Sequence, residues 1–149
     1  MRKIFTLLTF IIFCATVLSD DRSKRINVEI NKQNQTVKLF KLDKNGSAFL
    51  TLTGNNGNIV LEIKDARIKR YDNIRLSIVR DDTVFHEVDE YTINDGVMIT
   101  GDKAREIYSD LYNVKNLFVY RGYNLLGHYD LKNLKPKLIK YNKRFFQAI

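Results

Sequence analysis

The sequence predicts a mainly β fold: an antiparallel β-sandwich with one short helix between late strands and a second helix at the C-terminus. Three observations point there. From Ile26 onward, short runs rich in β-branched and apolar residues alternate with turn signals, as strands with tight connections do. Only one internal stretch has helical spacing of its apolar residues. The single proline, Pro136, stands where it suits the first turn of a closing helix.

The N-terminus has a different character. Arg2 and Lys3 precede an apolar run over residues 4–13, and the small residues Ala15, Thr16 and Ser19 follow. A basic start, a short apolar stretch and a small-residue exit form a secretory signal peptide. The run is too short to be a good membrane span; a retained anchor is the rival reading. A lipoprotein is disfavoured because Phe13, not a small residue, precedes Cys14. Val17 and Ser19 fit the positions three and one before a cut, so residues 1–19 are expected to leave. Residues 20–25 read as a flexible polar lead-in, and 26–149 as a single β-sandwich domain.

Cleavage would lower the formal charge from +8 to +6 and would remove Cys14, the only cysteine. The mature chain is then expected to have no disulfide, no thiol chemistry and no transmembrane span, and to be periplasmic or secreted. The remaining length of about 130 residues suffices for one core held by packing alone. The abundance of Asn and Lys fits an AT-rich, bacterial genome.

The elements follow in order. "INVEIN" and "TVKLFKL" are strand-like, and Asn45-Gly46 is a hairpin signal, since both residues tolerate positive φ. "SAFLTLT" runs to a second turn at "GNNG", residues 54–57, and "NIVLEIK" places Ile59, Leu61 and Ile63 on one face. Ile74, Leu76 and Ile78 alternate with Arg75 and Ser77, a strand with one wet face. "TVFHEVDEYTI" is a further strand, turned by "NDG" into "VMIT". Then Ala104, Ile107, Tyr108 and Leu111 mark the helix, with Asp102 expected as its cap. "NLFVYR" and "YNLLGHYDL" meet at Gly122, and Leu138, Tyr141 and Phe145 should face inward from the closing helix. No repeat, low-complexity tract or linker interrupts the pattern.

The C-terminal half carries a resemblance. A strand "NIRLSIVRDD" and a turn-strand "NDGVMI" lead into a helix, then a strand with "YRGYNLLGHYDLKNL", then a terminal helix. This layout resembles small secreted β-sandwich proteins of the invasion-associated locus B type and their relatives encoded with type VI secretion systems. The likeness is greatest at the hydrophobic-Asp-Leu-x-x-Leu phrase, here Tyr129-Asp130-Leu131-Lys132-Asn133-Leu134. An early tryptophan and a cysteine pair of that pattern have no counterpart in this chain. The resemblance implies a periplasmic or secreted accessory protein without known catalysis, and brings no catalytic residue with it.

The most polar stretch, "RDDTVFHEVDEY", holds Asp81, Asp82, His86, Glu87, Asp89 and Glu90. On a strand, His86, Val88 and Glu90 share one face while Glu87 and Asp89 take the other. The cluster is thereby split, and the expectation is a solvated strand face rather than a metal or acid/base site. His128 and Asp130 are two apart on a strand and can share a face, which allows a small secreted hydrolase as an alternative. No recognisable nucleophile accompanies them: Gly-x-Ser-x-Gly, a glycine-rich phosphate loop and a mature cysteine are all lacking. Neither a cofactor nor a metal is expected. Acceptor patterns for N-glycosylation at Asn34 and Asn45, and a dibasic stretch at residues 22–25, read as turns and a basic lead-in.

A last feature is the lysine-rich close. Lys132, Lys135, Lys137, Lys140, Lys143 and Arg144 follow one another with no acid after Asp130. They are the candidate binding residues, for a protein face or an anionic envelope component such as a lipid headgroup or polysaccharide. Nucleic acid is disfavoured. The competing explanation is a solvated helix face over an apolar stripe. The expected function is a non-enzymatic binding or accessory protein of the bacterial envelope, linked to secretion or host interaction. A structural or adhesive subunit that assembles by edge-strand pairing is a further alternative.

Overall fold

The computed structural model describes residues 25–92 and 96–148. The segment expected to be a signal peptide, most of the expected lead-in, and Asn94 and Asp95 of the "NDG" turn lie outside the described residues. The chain opens with β1 (Asn27–Asn31), β2 (Thr36–Leu42), β3 (Ala48–Asn55) and β4 (Asn58–Asp65). There follow β5 (Asn73–Arg80), β6 (Thr83–Tyr91), β7 (Val97–Thr100) and helix α1 (Gly101–Leu111). Strands β8 (Asn116–Arg121) and β9 (Asn124–Asp130) lead to helix α2 (Leu134–Tyr141) and a π-helical turn (Asn142–Phe146).

The strands form two antiparallel sheets, one ordered β1-β2-β3-β4-β7 and the other β6-β5-β8-β9. One core takes the inner faces of both, with Val37, Leu39, Leu50, Leu52, Leu61 and Ile63 from the first and Ile74, Leu76, Ile78, Leu117 and Val119 from the second. The fold is therefore mainly β, with a helix between late strands and another at the end. Period-two alternation dictates this: each buried residue in β2, β3 and β4 is followed by one that is more exposed. The outer face of β5 is drier than its sequence suggests. Ser77 is buried there, donating to Glu87 Oε1 at 2.7 Å, while Arg75 lies over the Tyr120 ring at 5.1 Å.

Two turns show how tightly the hairpins are set. Asn56 (φ 45°) and Gly57 (φ 82°) form the two-residue connection between β3 and β4. Asp81 (φ 48°) and Asp82 (φ 63°) do the same between β5 and β6 without glycine. Aspartate is among the few residues that enter the left-handed region at small cost. The Asn45-Gly46 signal marks a looser connection than expected, over residues 43–47, in which Gly46 but not Asn45 has positive φ. The buried Asp43 organises that loop, its Oδ1 accepting from the backbone N of Ser47 at 2.8 Å and of Ala48 at 3.3 Å.

The sandwich is closed along both flanks. On one side α1 buries Ala104, Ile107, Tyr108 and Leu111, and its polar side reaches β6. Lys103 Nζ meets Glu90 Oε2 at 2.6 Å, and His86 Nδ1 meets Asp110 Oδ2 at 2.5 Å. The split of the β6 cluster is as the alternation requires. His86 and Glu90, however, are half-buried against α1 rather than solvated, because the helix packs over that edge. The helix starts earlier than expected: Thr100 is the N-cap, making no side-chain cap bond, and Asp102 lies in the first turn. Gly101 (φ 67°) lets the chain turn from β7 straight into the helix.

On the other side, β9 is an edge strand whose outward carbonyls are taken. His128 O accepts from Lys44 N at 3.0 Å, and Leu126 O accepts from Arg67 Nη2. Arg67 also grips Asp65 Oδ2 at 2.6 Å. Burial pushes the Asp65 carboxyl up, but side-chain and backbone hydrogen bonds from Arg67 outweigh it and hold the group below its ordinary value. Occupied edge carbonyls leave β9 nothing to offer a further strand at those positions.

The C-terminal segment completes the core. Leu134, Leu138, Phe145 and Phe146 are buried and Tyr141 is half-buried against the same core, so the expected stripe of Leu138, Tyr141 and Phe145 is joined by Phe146. Phe145 and Phe146 both reach the core from the π-helical turn. Phe146 packs against Tyr108 with tilted rings at 4.7 Å and covers Gly54, where an added Cβ would sit 2.5 Å from Phe146 Cδ1. Gly54→Ala is therefore expected to destabilise the fold by about 1–3 kcal/mol through overpacking. A lower urea midpoint with an unchanged slope is the expected reading, and an unaltered midpoint would show that Phe146 has room to move.

Candidate functional site

The cationic close of the chain is held on a fixed support. Leu134 and Leu138 anchor α2, and Asn142 locks the π-helical turn: its Oδ1 accepts from Tyr108 Oη at 3.2 Å and from Ala148 N at 3.1 Å. Gly57 N donates to Phe145 O at 2.9 Å, and Arg105 Nη2 donates to Gly57 O at 2.7 Å, tying the segment to the β3–β4 hairpin. With the apolar side fixed, Lys132, Lys135, Lys140, Lys143 and Arg144 are exposed and Lys137 is half-buried. The structure thus brings all six candidate residues onto one short segment.

Their partners are mostly uncharged. Lys135 Nζ donates to Asn113 Oδ1 at 3.3 Å and lies 5.6 Å from the Tyr112 ring centre. Lys140 lies over Tyr141 at 5.4 Å and Arg144 over Phe145 at 5.0 Å. Among the described residues, Lys132 alone of the six is in a salt bridge, with Asp130 Oδ2 at 4.0 Å. The result is a positive surface whose charge is little compensated locally. Lys140 also falls in the last turn of α2, where the helix dipole favours a cation.

His128 and Asp130 each bond a different neighbour. His128 Nε2 donates to Asn116 Oδ1 at 2.8 Å, and its ring stacks on Phe118 at 4.3 Å. Asp130 Oδ1 accepts from Lys132 N at 3.1 Å, closing the strand end. Burial, with the charge of Lys44, lowers the His128 pKa against the opposing pull of Asp130. These effects favour the uncharged imidazole, which is oriented by an amide rather than a carboxylate. Among the described residues no group of three or more His, Cys, Asp or Glu side chains could hold a metal ion. Nor is any helix among them long and apolar enough to cross a membrane.

A buried lysine escaped the sequence reading, as did the buried Asp43 and Asp65. Lys41 is 3 % exposed and shares the inner face of β2 with Val37 and Leu39. It lines a small apolar gap with Leu39, Leu50, Leu52, Leu111, Leu131 and Leu134. The alternation in "VKLFKL" already puts residue 41 on the buried face, so the signal was present. Desolvation lowers the Lys41 pKa, opposed by Asp130.

Compared with known proteins, the chain matches no family model, no curated protein and no solved structure.

Lys41 yields a stability prediction with a definite pH sign. Its folded-state pKa lies below the ordinary 10.5, so its protonation opposes folding at neutral pH, and the penalty fades as the pH rises towards 10.5. Lys41→Met keeps the length of the side chain and removes the charge. It is expected to raise stability by about 1 kcal/mol at pH 7, with a smaller gain near pH 10. Urea melts at both pH values check this; a loss of stability at pH 7 would assign Lys41 a supporting ion pair instead.

Proposed function

We propose that this chain is an exported, non-enzymatic binding protein of the bacterial cell envelope. Its cationic C-terminal face would meet an anionic envelope component, either a lipid headgroup or an acidic polysaccharide. One observation carries the reading: five of six clustered cations have no acidic partner among the described residues, and the segment presenting them is fixed by buried Leu, Phe and Asn side chains. Export is supported by the basic, apolar and small-residue order of residues 2–19. An accessory role in secretion or host interaction is supported by the resemblance of the C-terminal half alone. Nucleic acid fits less well, because Phe145 and Phe146 are buried and have no ring face to stack on a base.

Fractionation of native cells should place the processed chain outside the cytoplasm; a purely cytoplasmic chain would refute the export part. For the surface, the triple variant Lys135→Glu, Lys140→Glu, Lys143→Glu is the test. Binding to dextran sulfate and to phosphatidylglycerol vesicles should weaken steeply with salt and be lost in the variant, at about 1 kcal/mol per cation near a charged surface. Loss on vesicles alone would name the lipid, and loss on dextran sulfate alone the polysaccharide. Stability should change by no more than roughly 0.5 kcal/mol. Leu138→Ala should do the reverse, costing about 2–5 kcal/mol of stability. Parent-like binding by the triple variant at low salt would reduce this face to solvated surface.

A further inference from the structure

The loop that carries the chain from β4 to β5 is pinned at nearly every residue. Ile68 is buried beneath it. Lys69 N donates to Asp72 Oδ2 at 2.8 Å, and Asp72 N donates back to Lys69 O at 3.1 Å. The buried Thr92 clasps the loop from β6's end: its Oγ1 donates to Lys69 O at 2.7 Å, and its backbone accepts from Tyr71 N at 2.8 Å. The outcome is a bulky residue in the left-handed region, Tyr71 at φ 69°. Such a conformation persists only where the surroundings over-determine it.

What this framework displays is a tyrosine and two cations. Tyr71 is 57 % exposed, and the Arg70 guanidinium lies 4.8 Å from its ring centre. Lys69 and Arg70 are exposed, and neither is in a salt bridge among the described residues. Of the nearby acids, Asp65 pairs with Arg67, and Asp72 pairs with Arg121 while its carboxylate also accepts from the backbone N of Lys69. A second tip stands beside the loop: at the β8–β9 turn Gly122 (φ 57°) leaves Tyr123 100 % exposed. Arg121 binds the two together, its Nη1 donating to Arg67 O at 2.7 Å and reaching Asp72 Oδ2 at 3.4 Å.

Two projecting tyrosines beside surplus cations match the boundary of a lipid bilayer. Tyrosine places an apolar ring and a polar tip at headgroup level, and each nearby Lys or Arg is drawn to anionic lipid. Projecting tips meet a plane without needing a complementary pocket, and the rigid loop has little entropy left to lose on docking. We propose that the edge formed by Lys69, Arg70, Tyr71 and Tyr123 docks the protein onto an anionic lipid surface. This edge shares no residue with the C-terminal face and stands independently of the function proposed for it.

The chain has no tryptophan, so Tyr123→Trp in the full-length protein supplies a reporter that sees this tip alone. On vesicles of phosphatidylcholine with phosphatidylglycerol, its emission should shift to the blue and be quenched by brominated lipid. Vesicles of phosphatidylcholine alone should give no shift. Adding Lys69→Glu and Arg70→Glu should weaken the titration by about tenfold or more, while the C-terminal triple reversal should leave the shift at saturating lipid in place. The proposal is overturned if the reporter stays unshifted while the protein sediments with anionic vesicles. It is equally overturned if the shift ignores the Lys69 and Arg70 reversals, or if soluble poly-glutamate shifts the reporter as strongly as vesicles do, which would point to an acidic protein partner. Circular dichroism matching the parent shows that each variant is folded.

Discussion

Phe146 lies directly on the backbone of Gly54, and the position of the C-terminal segment follows from that contact. A side chain at residue 54 would occupy the place of the ring. With the ring seated, Phe145 and Leu138 reach the core, and Asn142 meets Tyr108 of the inter-strand helix. Helix and tail then cover the part of the first sheet near the Asn56-Gly57 turn. The lysines of α2 face water because the opposite side of that helix is committed.

Several acidic side chains help to hold the sandwich together. Asp43 organises the β2–β3 loop, Asp65 anchors Arg67, and Glu90 and Asp110 tie β6 to α1. Asp81 sits in a left-handed turn and pairs with Lys115. Such pairs are worth little where they are exposed and more where they are half-buried. Their common effect is to spend negative charge within the framework. The chain has 25 Lys and Arg against 17 Asp and Glu, so the excess must appear as uncompensated cations. It does so on the C-terminal segment and on the β4–β5 loop.

These two surfaces differ in kind. The C-terminal face presents lysines spread along a helix, a geometry that tolerates many anions and reads none of them closely. The loop edge presents tyrosine rings with cations on a backbone held by Thr92 and Asp72. Rigid display of an aromatic group favours one orientation of approach. A protein with both would hold a surface through one and remain able to contact a soluble anion through the other.

Strand alternation, turn chemistry and one helical stripe were legible because each depends on residues close in sequence. Nine runs of β-favouring residues became nine strands among the described residues, and Ala104, Ile107, Tyr108 and Leu111 form the buried stripe expected of them. The lysines of the close were equally plain, since a helix with an apolar stripe must turn its charges outward. Tertiary structure alone decided the rest. Whether His86 and Glu90 meet water depends on where α1 packs. The seat of the Phe146 ring depends on a glycine some ninety residues earlier in the chain. Likewise the placing of the β8–β9 turn beside the β4–β5 loop rests on Arg121, which bridges two parts of the sequence. Local pattern fixes which face of an element is apolar; only the closed sandwich determines which neighbour covers it.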